Sequence, residues 1–280
     1  MKRLSSLLAV ASMLGGMAAL STGATAAGTS SRAQAAATLP TINIALSGSR
    51  GVSVSGSTVS GAVQILATHT GKGMGFYGIV RLNPGVTIQQ AAGAVQSHHG
   101  DINALDPYGS LLVSAAAPGA VQTLLTPGSY VGLNITGNGQ PGFAPFTVTQ
   151  ASSPAALPAA RTTETSIEFG FRGPTVLHNG TMVRAHNGGY LVHMDTLVGV
   201  RNAATGRTVI ALMNAGKGRQ AQRLTNGRFL DLIGPASPGA MQQEILHATP
   251  GYYVQACFMN TQDGRDHAQL GMARVIRIVK

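Results

Sequence analysis

The chain has 280 residues, with 19 Lys and Arg against 9 Asp and Glu, a formal net charge of +10, a single cysteine and no tryptophan. One cysteine excludes an internal disulfide, and the dispersed arginines with only 7 Phe and 6 Tyr lack the interleaved basic and aromatic pattern of a nucleic-acid surface. No stretch reaches the ~20 consecutive apolar residues of a membrane-spanning helix.

Residues 1–26 carry the three parts of a secretory signal: Lys2 and Arg3, the apolar run Leu7 to Leu20, and the small-residue site Ala24-Thr25-Ala26. Its removal leaves 17 basic against 9 acidic side chains, a net +8, on an exported protein. Residues 27–38 form a low-complexity leader expected to be disordered. Beyond them, many Gly and Pro punctuate short Val, Ile and Thr runs, the pattern of antiparallel sandwiches. Two domains are expected, at 39–150 and 165–280, joined by the Ala- and Pro-rich linker 151–164.

The halves repeat one another. "LTPGSYVGLNIT" matches "ATPGYYVQACFM" with Tyr130 on Tyr253; "PGVTIQQAAGAV" matches "TGRTVIALMNAG" with Thr87 on Thr208; and "INIAL" from Ile42 matches "IEFGF" from Ile167, both expected as strands. Each half has one expected helix, the first capped by Thr87 with Gln90 and the second running from Thr208 through "QAQRL". Basic residues concentrate in the second half, with 13 against 7 acidic from Arg161 onward. That excess is either an ordinary solvated surface or a docking face for an acidic partner.

Chemistry-bearing residues gather in the second half. Asn187 and His193 stand as N-x5-H, and Cys257, His267 and Met272 as C-x9-H-x4-M directly after the strand "PGYYVQAC". This order resembles the type 1 (blue) copper site of the cupredoxins, of the plastocyanin type, over about residues 165–280. The resemblance implies two tandem cupredoxin-like antiparallel Greek-key β-sandwiches, all-β, each with a short inserted helix, the first a degenerate copy. It also implies one copper ion held by His193, Cys257 and His267 in plane with Met272 axial, single-electron transfer, Asn187 orienting the loop, and His267 as the point of electron exit. A soft thiolate, a thioether and two imidazoles suit both copper oxidation states.

The pattern departs from the family in places. Nine residues separate Cys257 from His267, more than in the small electron carriers. Ala256 stands where oxidases and nitrite reductases carry a histidine for a second copper, and neither half has an H-x-H pair, so catalysis of those kinds is not expected. Asn134 occupies the first-half position of Cys257.

Plainer readings stand beside these. Cys257 fits a buried core thiol, His193 a core histidine, and Met272 a packing residue. His186 is an alternative to His193, Met259 to Met272, and Asp195 an alternative oxygen donor. His98 and His99 follow the first helix and are expected to be exposed, and His178 and His247 are turn residues. No G-x-S-x-G, H-E-x-x-H or Walker loop is present. A metal-free extracellular binding module and a copper storage or delivery protein remain open as alternative functions.

Overall fold

A computed structural model describes residues 38–280 apart from 99 and 137–139. The expected signal, the leader before Thr38, and His99 therefore lie outside the described residues. Strands dominate. In chain order the elements are β1 (Thr41–Ser47), β2 (Gly51–Gly56), β3 (Gly61–Thr70), β4 (Gly75–Leu82), α1 (Ile88–Ser97), β5 (Gly109–Ala117), β6 (Gly119–Leu125), β7 (Gly128–Asn134) and β8 (Gly142–Val148). The second half continues with β9 (Thr162–Ile167), β10 (Gly170–Arg172), β11 (Val176–His178), β12 (Met182–Asn187), β13 (His193–Val200), α2 (Ala203–Asn214), α3 (Gly218–Gln222), β14 (Thr225–Ala236), β15 (Met241–Ile245), β16 (Gly251–Ala256) and β17 (Ala273–Val279).

Three sheets result. An eight-stranded sheet runs β10-β9-β12-β15-β6-β3-β1-β2, a four-stranded sheet β5-β4-β7-β8, and a five-stranded sheet β11-β17-β16-β13-β14. The connectivity of the second half repeats that of the first. In the large sheet, β1 pairs antiparallel with β2 and parallel with β3, as β9 does with β10 and β12. The halves meet where β15 pairs antiparallel with β6, Gln242 opposite Thr123 and Gln243 opposite Gln122. The linker segment carries no strand before Thr162, yet it is tied down: Ala62 N–H donates to Ala155 O (2.8 Å), and Gln243 Nε2 to Pro158 O (3.1 Å).

Strand alternation explains the layers. Ile42, Ile44, Val63, Ile65 and Val121 point from the large sheet onto Tyr77, Ile79, Val113 and Tyr130 of the four-stranded sheet. Val183 and Ala185 pack on Leu197, Ile233, Tyr253 and Ile276 of the five-stranded sheet. The helices cover the outer faces: α1 lies over Val80, Leu111 and Val131, and α2 over Val200 and Val254. Tyr130 and Tyr253 each donate a hydroxyl hydrogen bond to a carbonyl four residues upstream, Thr126 O (2.8 Å) and Thr249 O (2.7 Å), fixing the corner before each strand. At the junction β5 and β14 approach so closely that a Cβ on Gly234 would lie 2.6 Å from Ser114 O.

Two local expectations are corrected. "IEFGF" is not a strand: β9 ends at Ile167 and the chain turns through Glu168 and Phe169, which has φ +56°, into β10. The second helix begins five residues before Thr208, because the Asn202 side chain accepts the Thr205 N–H at 2.9 Å and caps it there; the helical stretch then breaks at Gly216 before α3. The first helix has the expected capping box between Thr87 and Gln90.

Glu244, on β15, is largely buried, and burial, then the nearby Asp231 carboxyl, push its carboxyl up to about 8. A carboxyl raised in the folded state stabilises below its unfolded value and loses that contribution as pH climbs toward the folded one. Glu244→Gln is therefore expected to raise the melting temperature above pH 8, by the equivalent of a few (~2–5) kcal/mol, and to leave it unchanged below pH 4. Thermal melts of both proteins across pH 4–9 check this.

Candidate metal centre

Three elements deliver the donors to one end of the five-stranded sheet. His193 opens β13, Cys257 follows the last residue of β16, and His267 starts a short 3-10 helix, His267–Leu270, just before β17. The long step from Cys257 to His267 is an excursion with its own closure. Asn260 bridges Asp266, Thr261 N–H donates to Arg265 O (2.9 Å), and His267 N–H donates to Met259 O (2.8 Å), so the chain returns to where it left. Gly271, with φ +102°, then reverses direction so that Met272 N–H reaches His267 O (3.0 Å) while Cys257 N–H reaches Met272 O (3.2 Å).

Three side-chain donors converge. His193 Nδ1 and His267 Nδ1 lie 3.1 Å apart, and Cys257 Sγ lies 3.8 Å from the former and 3.4 Å from the latter. All three residues have 0% exposure, as does Met272. Donors about 2.0–2.3 Å from one ion and about 100–120° apart are separated by about 3.1–3.7 Å, so a single first-row metal ion fits this set. They are the one group of this kind found among the described residues.

The electrostatics suit a cation. Burial, then His267, hold the His193 imidazole down to about 4, and burial lowers His267 as well, so both rings are neutral lone-pair donors at physiological pH. Burial pushes the Cys257 thiol up to about 11, so its thiolate needs a compensating positive charge, which a metal supplies. The same burial excludes the Cys257–His267 pair as a nucleophile and base, since no substrate reaches them.

Residues that spacing alone did not single out complete the site. Glu168 Oε1 lies 3.7 Å from His193 Nε2 and accepts the backbone N–H groups of Tyr190 and Leu191. A carboxylate there favours the proton on Nε2 and leaves the Nδ1 lone pair turned inward. The Phe169 ring meets the His267 ring edge-on at 5.4 Å. From the first half, the Asn103 side chain accepts the Val192 N–H at 2.8 Å, one residue before His193. Met194 N–H donates to Cys257 Sγ at 3.4 Å.

Asn187 sits where orientation needs it. Its amide donates to Leu191 O and Ala236 O, both at 2.8 Å, and accepts the Gly189 N–H at 3.0 Å, tying the loop before His193 to β14. His267, the implied point of electron exit, is wholly buried. His186 is paired within β12 opposite Met241, outside the cluster, and the Met259 carbonyl serves the loop closure. Asp195 turns to Gln255 Nε2 (2.7 Å). His98 Nδ1–H donates to Ala94 O (2.8 Å) at the end of α1, and His247 is exposed. Asn134, at the first-half equivalent of Cys257, donates to Gly48 O (3.2 Å) and Gly51 O (2.8 Å), a purely structural role.

No protein-family model matches the sequence, and no curated protein matches it. Among solved structures, the chain is similar to a dithionite-reduced auracyanin from Roseiflexus castenholzii, at 16% identity over 44% of this chain and 100% of that one, with a TM-score of 0.27. It is similar to auracyanin A, a "blue" copper protein from Chloroflexus aurantiacus, at 15% identity over 42% of this chain and 99% of that one, TM-score 0.23. A copper nitrite reductase from Nitrosomonas europaea overlaps 86% of this chain and 93% of its own at 10% identity, TM-score 0.24. Overlaps this weak do not transfer a function, and what the chain can do is read from its own residues.

Because Cys257 is fully buried, it is expected to resist a water-soluble aromatic disulfide reagent at pH 8 in the folded protein and to react stoichiometrically in guanidinium chloride. Asn187→Ala strands the carbonyls it serves and is expected to cost about 2–4 kcal/mol in chemical denaturation while making the thiol labelable under native conditions. Parallel denaturation and labelling curves give both readings.

Proposed function

We propose that the chain is an exported, extracytoplasmic protein of two Greek-key copies, the second holding one copper ion and passing single electrons. The observation that carries this is the convergence of two imidazole Nδ1 atoms and one thiol within 3.1–3.8 Å of one another at zero exposure. His193, Cys257 and His267 would hold the ion, with the buried Met272 as the candidate thioether donor. Copper is favoured over zinc because a thiolate, two imidazoles and a weak thioether form a compromise geometry for its two oxidation states. When bound, the ion supplies a one-electron couple. The surrounding residues keep water out, leaving no open position of the kind a hydrolytic or oxidase centre requires.

Each neighbour has a task in this reading. The Glu168 carboxylate favours a proton on His193 Nε2, and Met194 N–H withdraws charge from the sulfur. Asn187 and Asn103 hold the His193 approach. With His267 buried, Phe258, next to Cys257 and 38% exposed, is the shorter way from the sulfur to the surface. Exposed Arg228 lines the same cleft as Phe258, and a cation there suits an acidic redox partner.

A second reading is favoured by the same distances. An Nδ1 to Nδ1 separation of 3.1 Å is also an ordinary hydrogen bond, as in a metal-free fold whose imidazoles and thiol satisfy one another. Titration of the purified protein with Cu(II) separates the two. One equivalent is expected to give an intense visible thiolate-to-copper band that is absent in Cys257→Ser, whereas a colourless protein with unchanged melting temperature establishes the metal-free reading. Tight Cu(I) uptake without a coloured Cu(II) form would mark a storage or delivery role. In the coloured protein, Glu168→Gln is expected to raise the reduction potential by tens (~20–100) of mV, measured by redox titration, because it removes a negative charge near the site.

A further inference from the structure

A cleft of about 690 Å3 lies between α1 and the outer face of the four-stranded sheet of the first half, with Pro235 of β14 in its wall. Its origin is the composition of the helix. Where α2 buries Val209 and Met213 against its sheet, α1 buries only Ala91 and Ala94, with Ile88 and Val95 partly buried beside them, so small side chains line the helix side of the cleft.

The floor is recessed, with Val80, Leu82, Leu105, Leu111 and Val131 all 8% exposed or less, while Ile135 and Phe143 stand exposed at the rim. A protein partner docks on exposed side chains, and a small molecule fits a recess, for which 300–1,000 Å3 is the ordinary size. The chemistry of the lining is equally selective. Among the described residues no charged side chain faces the cleft, and its polar side chains are limited to Gln96, Ser114 and Gln140. The smaller cleft beneath α2, about 450 Å3, has Arg228 and Asp266 in its wall. Bringing a charge into the first cleft costs several kcal/mol with no partner to offset it, whereas an apolar body is favoured by the area it covers.

We propose that the first half, which lacks the metal donors, binds one neutral lipophilic small molecule in this cleft, its apolar body against Val80, Leu111 and Val131 and a single hydroxyl, carbonyl or amide group met by Ser114 or Gln96. The site is independent of the copper reading, since it shares no donor with the metal cluster.

N-phenyl-1-naphthylamine, a neutral fluorescent probe, tests it on the full chain. Saturable binding of one equivalent is expected, with an accompanying rise in melting temperature. The filling variant Ala92→Leu with Val95→Phe is expected to weaken binding at least tenfold without lowering the melting temperature, while Phe229→Ala, beside the other cleft, leaves binding unchanged. If the double variant does not fold, Ala92→Leu alone is expected to weaken binding in the same direction. Absence of saturable binding to the native chain overturns the proposal. So does equal binding by the folded filling variant, loss of binding in Phe229→Ala, or equally tight binding of the anionic analogue 1-anilinonaphthalene-8-sulfonate.

Discussion

Two opposed backbone pairs between β6 and β15 decide the rest of the molecule, because they make one eight-stranded sheet out of two sets of four. The Gln243 amide reinforces them by donating to Gln122 Oε1 at 2.9 Å, from the other half. Once these strands are side by side, β5 and β14 must also meet. The Ser237 hydroxyl then accepts the Leu111 N–H and the Ser237 N–H donates to Leu111 O, both at 2.9 Å. Asn103 is brought to the loop before His193 by the same constraint. The half without metal donors thus shapes the rim of the half that has them.

Beneath the donors lies a second buried polar layer, offset by two residues along three strands: Asp195 after His193, Gln255 before Cys257 and Arg274 after Met272. Arg274 pairs with Glu164 and donates to Gln255 Oε1 (2.6 Å), and Gln255 Nε2 reaches Asp195 Oδ2 (2.7 Å). Two carboxyls face one guanidinium, and burial, then Glu164, push Asp195 up to about 8. Breaking such a pair by removing one member leaves a buried charge uncompensated, at a cost of about 3–5 kcal/mol. The layer fixes the strands in the register that brings His193, Cys257 and His267 together, and it does so with polar groups that tolerate little slippage.

Legibility in the sequence followed the range of the interactions. Tyr130 and Tyr253, the Thr87 cap and the ordered set His193, Cys257, His267 and Met272 are local patterns whose spacing survives in one dimension. Glu168 falls inside the expected strand "IEFGF"; only the turn at Phe169 carries its carboxylate over His193. Asn103 lies 89 positions from its partner Val192, and nothing along the chain links them. The repeat aligns Thr208 with the capping Thr87, yet Asn202, a stronger cap, lies upstream and starts the helix there. The burial of His267 depends on how the excursion from Asn260 to Asp266 folds back on itself, which spacing does not encode.

The junction of β6 and β15 has a local two-fold character: Gln122 faces Gln243 as Thr123 faces Gln242. That is the symmetry of a contact between identical subunits, here enclosed within a single polypeptide. Severed from its neighbour, either half would be left with an unpaired strand margin whose natural complement is another copy of itself, so self-association is the state to which a separated half is drawn.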